Sequence, residues 1–375
     1  MQWKIPLYKI YWDEEDINSV SKVIRRGMYW ANGPEIVKFE RKISEMLNVA
    51  HTVAVNSGTS ALHLALLSLG IGPGDEVIVP AFTFIATANS VLFTGAKPIF
   101  ADIESDTLGI DPKILEEYIT EKTKAILPIH YGGIPNNIHE IQKIAKEYGL
   151  HLVEDAAESF LAKSKNKFVG TIGDVGVFSF CQTKVFTTGE GGAIVTNSRE
   201  LYEKLKLYRS HGRAESKDYF SSAELMNYIS LGYNYRMPTM IAALGLSQLS
   251  KVKYMISRRK EIANRYREAL EKLDIYIPKG LPGDTCVHQM FSFLVKDRRT
   301  RDKLQKHLIS KGIMTKVYFN PVYKTKFYRS MGYQIHLPVT EDIADRILTI
   351  PLYPSLTDNE VEYIITSIKE YFNKG

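Results

Sequence analysis

The first two-thirds of this 375-residue chain alternates short apolar runs with helix-length stretches. Each run is short enough to be a buried β-strand, and together they comprise residues 53–55, 76–79, 98–100, 125–129, 152–154 and 175–180. Strands that alternate with helices form mostly parallel sheets covered by helices on both faces. Asp111 followed by Pro112 predicts a helix start between the third and fourth runs. The order predicts an α/β fold, and such sheets bind ligands at the carboxyl ends of their strands.

The last third of the chain predicts a second, smaller unit. A long helical pattern begins near Thr239, and the chain closes with an amphipathic helix whose capping box extends from Thr357 to Glu360. A chain of this length exceeds what one hydrophobic core usually supports. We therefore predict a large domain at residues 1–250 packed against a small α+β domain at 251–375.

Lys184 lies where lysines are rarely found. It follows the apolar run 175–180 and precedes a glycine-rich cluster at 189–192, so we expect it in a tight turn rather than on the solvated surface. Burial lowers the pKa of a lysine, and a neutral lysine amine attacks an aldehyde to form a Schiff base. An isolated lysine is more often a surface residue beside a turn, so this interpretation depends on the rest of the sequence.

Three further features supply what pyridoxal 5'-phosphate (PLP) needs beside a lysine. Asp155 ends the apolar run 152–154, and a buried carboxylate there would keep a pyridine nitrogen protonated. Residues 56–60 read as a turn between a strand and a helix start, where backbone N–H groups bind phosphate. Phe84 offers a flat face for the ring. Each feature has an ordinary alternative, which is capping for Asp155 and the turn, and core packing for Phe84.

In combination, these residues resemble the DegT/DnrJ/StrS-type sugar aminotransferases. Four motifs occur in the order of that family, at residues 56–62, 154–157, 178–192 and 232–237. The resemblance extends from around Gly33 to residues 348–354. It implies fold type I of the PLP-dependent transferases, with a mostly parallel mixed sheet in the large domain. It also implies an enzyme that acts on nucleotide-linked keto-sugars.

The resemblance implies a role for each matching position. Lys184 would hold PLP covalently and move the proton between the cofactor and the sugar, and Asp155 would pair with the pyridinium nitrogen. Phe84 would stack on the ring. The other cofactor-binding positions would be Gly58, Thr59 and Ser179 for the phosphate, Glu158 near the ring oxygen, and Asn234 for the phosphate of the neighbouring subunit's cofactor. The active site would therefore be complete only in a homodimer.

Several positions depart from the commonest family pattern. Glu158 stands where many members have Gln or His, which is more similar to the perosamine-type enzymes that aminate a 4-keto-6-deoxy sugar. Cys181 stands where His or Phe is more usual, and Tyr323 where His is frequent. Candidate substrate contacts are Arg213, Tyr318 and Tyr323. The polar loop that carries Arg213 is also typical of a mobile surface loop.

We expect ping-pong transamination. An amino acid, glutamate by family resemblance, would give its amino group to a nucleotide-linked keto-6-deoxy sugar in amino-sugar biosynthesis for surface polysaccharide or related glycans. One alternative is a PLP-dependent sugar dehydratase or lyase on the same scaffold, although the dehydratase branch of the family has His in place of Lys184. The other is a non-catalytic regulator, against which the intact pair of Lys184 and Asp155 argues.

Composition and charge narrow the partners and the location. The net charge of +6 is small and diffuse, whereas nucleic-acid binding needs a clustered basic face. No apolar run approaches the roughly twenty residues needed to cross a bilayer. Two cysteines and no secretory signal predict a cytoplasmic protein. His139 and Glu140 begin like a zinc-protease helix, but Lys143 occupies the position of the second histidine, so we expect no metal.

Overall fold

The computed structural model describes residues 3–214 and 225–373 and contains a seven-stranded central sheet. The strands are β1 (His51–Val55), β2 (Glu76–Pro80), β3 (Lys97–Ala101), β4 (Thr123–Ile126), β5 (His151–Asp155), β6 (Lys163–Ser164), β7 (Lys167–Phe168), β8 (Val175–Ser179), β9 (Gly192–Thr196), β10 (Ile275–Tyr276), β11 (Phe291–Val295) and β12 (Ile347–Ile350). The central order is β1-β9-β8-β5-β4-β2-β3, and only β9 runs antiparallel to its neighbours. The sheet is mixed and mostly parallel, which confirms the predicted fold class.

Helices cover both faces of this sheet. They are α1 (Glu14–Arg26), α2 (Pro34–Leu47), α3 (Gly58–Ser68), α4 (Ile85–Phe93), α5 (Ile138–Glu147), α6 (Arg199–Arg209), α7 (Thr239–Leu270), α8 (Arg298–Ser310), α9 (Lys326–Ser330), α10 (Pro338–Arg346) and α11 (Asp358–Asn373). Successive strand residues point to opposite faces, so Val53 and Val55 pack with α3 while Ala54 packs with α2 and α7. Within the described ranges, no helix is long and apolar enough to cross a membrane.

A second hydrophobic core forms around the antiparallel sheet β10-β11-β12, the end of α7, and helices α8 and α11. Ile5 is buried in this core, and its backbone pairs with Gly312 and Met314 through hydrogen bonds of 3.1 and 2.9 Å. The start of the chain therefore packs with its last third. Helix α7 is continuous across residue 250, so the division at 250/251 falls inside a helix and stays a prediction.

Two local predictions have opposite outcomes. The capping box forms, because Thr357 N–H donates to Glu360 at 2.8 Å and Glu360 N–H donates to the Thr357 hydroxyl at 3.3 Å. The α-helix predicted from Asp111 is wrong, since only a short 3-10 helix forms at Leu115–Tyr118. Asp111 accepts a hydrogen bond from the Lys113 N–H at 2.9 Å, but the chain becomes extended by Ile119. A short helix is only marginally stable, and one N-terminal cap is not enough to stabilise it.

Candidate active site

The carboxyl ends of β5 and β8 bring an aspartate and a lysine to the same edge of the sheet. The two strands are parallel neighbours, with Asp155 opposite Val177. Asp155 is the last residue of β5, and Lys184 follows β8 after a turn in which its N–H donates to the Cys181 carbonyl at 3.0 Å. Parallel strands gather their carboxyl ends at one edge, so the topology explains why these distant residues meet.

The amino end of α3 lies against the same edge. Ser57 caps the helix by accepting a hydrogen bond from the Ser60 N–H at 3.0 Å, and Gly58 and Thr59 form its first turn. A Cβ at Gly58 would lie 2.7 Å from the Ser179 Cβ, so only glycine allows the helix to approach β8 this closely. The first N–H groups of a helix have no partner inside it and attract anions. This end of α3 can therefore bind a phosphate.

Asp155 is buried and held by two donors. The Thr87 hydroxyl donates to Oδ2 at 2.8 Å, and the Ala157 N–H donates to Oδ1 at 3.1 Å. Burial raises the pKa of Asp155 in spite of these hydrogen bonds and of the charge on Lys184. Among the residues that the structure describes, no ion pair reaches this carboxylate. A bound cation, such as a protonated pyridine nitrogen, would supply the charge that it lacks.

Lys184 forms a buried ion pair with Glu158. Its Nζ lies 3.2 Å from Glu158 Oε1, and the two side chains are 15% and 5% exposed. Burial alone would lower the pKa of Lys184, but the electrostatic influence of Glu158, Cys181 and Asp155 outweighs burial and raises it. The lowered pKa expected from the sequence is therefore wrong for the ligand-free chain, because the sequence did not reveal that Glu158 lies against the amine.

These groups line a cavity of about 370 Å³. Its walls include the candidate residues Gly58, Thr59, Phe84, Asp155, Glu158, Ser179, Lys184 and Tyr318. Phe84 is half-exposed at the mouth, with its ring centroid 6.1 Å from that of Phe319. The structure therefore brings together eight residues that the sequence singled out from separate motifs.

Three other candidates lie outside this cavity. Asn234 is exposed and pairs with Ser210 through an isolated β-bridge. Arg213 is buried and lines a different cavity, and its guanidinium donates to the Ser210 hydroxyl at 3.3 Å. Tyr323 is buried in the core beside β3, where its hydroxyl donates to Glu341. Within one subunit, none of the three meets Lys184.

Sequence reasoning missed several residues of the cavity. Thr87 lies in the first turn of α4 and orients Asp155, and Gln289 lines the wall with its amide nitrogen bonded to the Thr183 carbonyl. Lys316 and Tyr8 also line the cavity. Gly132, which donates its N–H to Glu158 at 2.8 Å, follows the predicted strand 125–129, so the strand-end rule could have found it. The other contacts come from the tertiary fold alone.

The cavity fits PLP on the chemistry of its own residues. A buried lysine amine, a buried carboxylate that no described cation reaches and a helix end that can bind an anion lie around one space. In residues 3–214 and 225–373, no cluster of His, Cys, Asp or Glu has the arrangement of a metal site.

Comparison with known proteins agrees with this fit. Residues 11–369 match the DegT/DnrJ/EryC1/StrS aminotransferase family. The chain is 39% identical to the GDP-perosamine synthase of Escherichia coli O157:H7, over 98% of this chain and 99% of that protein. Helicobacter pylori PseC, an aminotransferase involved in the biosynthesis of pseudoaminic acid, superimposes with a TM-score of 0.92 at 31% identity, over the whole of both chains.

A third relative bears on the cofactor. The putative sugar aminotransferase Spr1654 of Streptococcus pneumoniae superimposes in its PLP form with a TM-score of 0.91 at 29% identity, over 99% of each chain. The same protein is also known in its PMP form. The chain is therefore similar in fold to a protein that is known with both cofactor forms of a transaminase, PLP and PMP.

Proposed function

The chain belongs to the DegT/DnrJ/EryC1/StrS aminotransferase family, and we propose that it moves an amino group from glutamate to the keto group of a nucleotide-linked 6-deoxy sugar. It is a PLP-dependent sugar aminotransferase of amino-sugar biosynthesis. The observation that carries the proposal is the single cavity in which Lys184 lies beside Asp155 and the amino end of α3.

The identity to a GDP-perosamine synthase over nearly the whole chain supports a 4-keto-6-deoxy sugar as the acceptor. Glu158 supports the same choice, because it lies in the cavity at the position where the sequence resembles perosamine-type enzymes. We further propose that the product enters a surface polysaccharide or a related glycan.

Seven residues of the cavity have an assigned task in this proposal. When bound, PLP supplies an aldehyde carbon that carries the amino group and a ring that withdraws electrons. Lys184 binds that carbon and, when free, moves the proton at the reacting carbon. Asp155, oriented by Thr87, holds the proton on the ring nitrogen. The cofactor-binding roles complete the set: Gly58, Thr59 and Ser179 for the phosphate, and Phe84 for the ring face.

We propose that the chain forms a homodimer, and the candidates that lie outside the cavity support this. Asn234 is exposed and outside the cavity of its own subunit, which supports a homodimer in which it reaches the partner's cofactor phosphate. We keep Arg213 and Tyr318 as substrate candidates, and of these Tyr318 lies within the cavity. We also propose a cytoplasmic location, which the free thiols of Cys181 and Cys286 support.

A transfer assay tests the function directly. The PLP-loaded protein is incubated with nitrogen-labelled glutamate and a panel of nucleotide-linked keto-sugars, and the products are analysed by mass spectrometry. We expect labelled nitrogen at the former keto carbon of a 4-keto-6-deoxy sugar. Loss of the keto sugar without nitrogen incorporation would favour a dehydratase or lyase, and a protein that binds no PLP would favour a regulator.

A further inference from the structure

Three buried carboxylates lie within five residues of the chain, and they differ in how many hydrogen bonds they accept. Glu154 accepts one bond at each of its four acceptor positions, from Gly170 N–H (2.8 Å), Ile172 N–H (2.6 Å), Gly173 N–H (2.7 Å) and His130 Nε2 (3.0 Å). His130 Nδ1 accepts from the Asn136 N–H at 3.0 Å, so the ring proton is on Nε2. Glu154 therefore has no position left for a proton.

Asp155 and Glu158 are held less completely. Asp155 accepts two hydrogen bonds, from a threonine hydroxyl and a backbone N–H. Glu158 also has two partners, but one of them is an ammonium: Gly132 N–H lies 2.8 Å from Oε2 and Lys184 Nζ lies 3.2 Å from Oε1. Of the three carboxylates, only Glu158 is in hydrogen-bond contact with Lys184 Nζ, which can transfer a proton.

The surroundings of this pair favour transfer within the pair over exchange with bulk water. Both side chains are largely buried, so separating either charge from its partner is costly. Moving one proton between them converts two buried charges into two neutral groups, which a site of low polarity tolerates. Lys184 must lose a proton before it can attack a carbonyl carbon.

We propose that Glu158 is the group that exchanges a proton with Lys184. In this step an N–H bond of the Lys184 ammonium breaks, an O–H bond forms at Glu158 Oε1, and both side chains become neutral. The reverse step returns the proton from Glu158 to Lys184 Nζ. No further reactant is needed. The inference rests on the proposed role of Lys184 in transamination.

Other titratable groups face this pair from the elements around it. They are Asp155 at the end of β5, Cys181 in the turn before the lysine, and Tyr131 after β4. Burial raises the pKa of Tyr131, and its hydroxyl donates to the Tyr318 carbonyl at 2.6 Å, so it stays neutral. Asp155 and Cys181 form no hydrogen bond with Lys184 Nζ among the described contacts, so Glu158 is the direct partner.

The first test uses the full chain without cofactor, so it does not depend on catalysis. The rate at which Lys184 is acetylated by acetic anhydride is followed against pH by peptide mass spectrometry in wild type and Glu158→Gln. Losing the carboxylate charge should make labelling of Lys184 about tenfold faster at neutral pH. Lys251, which pairs with Asp13 and Asp16 elsewhere in the fold, is the internal control and should not change.

The second test separates proton transfer from simple charge attraction. Covalent PLP uptake by the same proteins is measured by trapping with borohydride. We expect uptake to become slower in Glu158→Gln although the amine is labelled faster. Bonding to an aldehyde, unlike acetylation, must release the carbonyl oxygen as water, and a glutamine cannot carry the proton that this needs. Glu158→Asp should restore uptake in part. Uptake is measured at PLP concentrations that saturate each protein, so that a change in non-covalent affinity cannot cause the difference.

The outcomes decide the inference separately from the proposed function. Faster labelling with faster uptake would reduce Glu158 to an electrostatic role, and an unchanged labelling profile would leave it a structural one; either result overturns the inference. If Glu158→Gln does not fold, the wild-type protein alone tests the pairing. Acetylation of Lys184 should then begin at a higher pH than acetylation of the exposed Lys122. A profile at or below that of Lys122 would refute the pairing. Failure of the transfer assay alone would refute only the proposed function.

Discussion

Two lysine–carboxylate pairs in this molecule have similar burial and similar charges but lie in different surroundings. Lys184 meets Glu158 at 3.2 Å, and Lys251 meets Asp13 and Asp16 at 2.6 and 2.8 Å. Their side chains are 15% and 14% exposed, and in both lysines burial lowers the pKa while the carboxylates outweigh it and raise it. Lys251 joins α1 to α7, whereas Lys184 faces a cavity. The space beside the amine, and not the ion pair, distinguishes the lysine that we propose as reactive from the structural one.

Removing each lysine in turn should give the largest difference between the two pairs. Lys184→Ala should lower turnover by about 10⁴-fold or more, because it removes the amine that we propose binds the cofactor and moves the proton. The fold and non-covalent PLP binding should persist. Steady-state transamination and the melting temperature measure the two effects. Lys251→Met is the matched control and should show the reverse, with turnover kept and stability lost.

Asp155→Asn should lower turnover by about 10²- to 10³-fold, since it removes the charge that opposes a protonated ring nitrogen while it keeps the side-chain shape. The measurement is single-turnover transamination with saturating PLP. Asp16→Asn, in the structural pair, should leave the rate unchanged. A rate in Asp155→Asn equal to that of wild type would mean that the ring nitrogen needs no carboxylate, and the assigned role would be abandoned.

Lys251→Met should destabilise the chain by about 1–3 kcal/mol, because Asp16 stays buried with one partner fewer. The raised pKa of Lys251 also fixes the sign of its pH dependence. Its stabilising effect is fully present below 10.5, the usual pKa, and is lost as the pH rises through the folded value. The free energy of unfolding in urea, measured across the alkaline range, should therefore fall less steeply with pH in Lys251→Met than in wild type. If the slope against pH were the same in both proteins, a group other than Lys251 would cause the loss of stability at alkaline pH.

Asn234→Ala should have the smallest effect, a roughly two- to tenfold weaker PLP affinity, as for the loss of one hydrogen bond. Mixing it with Lys184→Ala sharpens the comparison across subunits. In a shared-site dimer, the hybrid contains one site with both defects and one intact site, so mixing should restore tight PLP binding to half of the sites. No recovery in a confirmed hybrid would place Asn234 outside the partner's cavity.

The sequence predicted the parts of the site that depend on strand order. Asp155 and Lys184 could be placed because each follows an apolar run, and parallel strands deliver such residues to one edge. Gly58 and Thr59 could be placed because a strand, a turn and a helix start are local patterns. These predictions needed no knowledge of how the side chains pack.

The remaining contacts depend on distances that the sequence does not contain. Glu158 and Lys184 are 26 positions apart, and their contact reverses the pKa shift expected for the lysine from burial alone. Tyr323 was named for its position in a motif, but it packs against Phe100 in the core and donates to Glu341. In both cases the packing of neighbouring elements decides the outcome.

The backbone pairing of Ile5 with residues 312 and 314 gives the amino-terminal segment an unexpected importance. Leu7 and Tyr8, just beyond this pairing, line the same cavity as Lys184. Proteolytic trimming of the first eight residues would therefore remove part of the cavity wall without touching the central sheet. A change to this segment could therefore alter the cavity around Lys184, so the choice of fusion site belongs to the design of every assay of this enzyme.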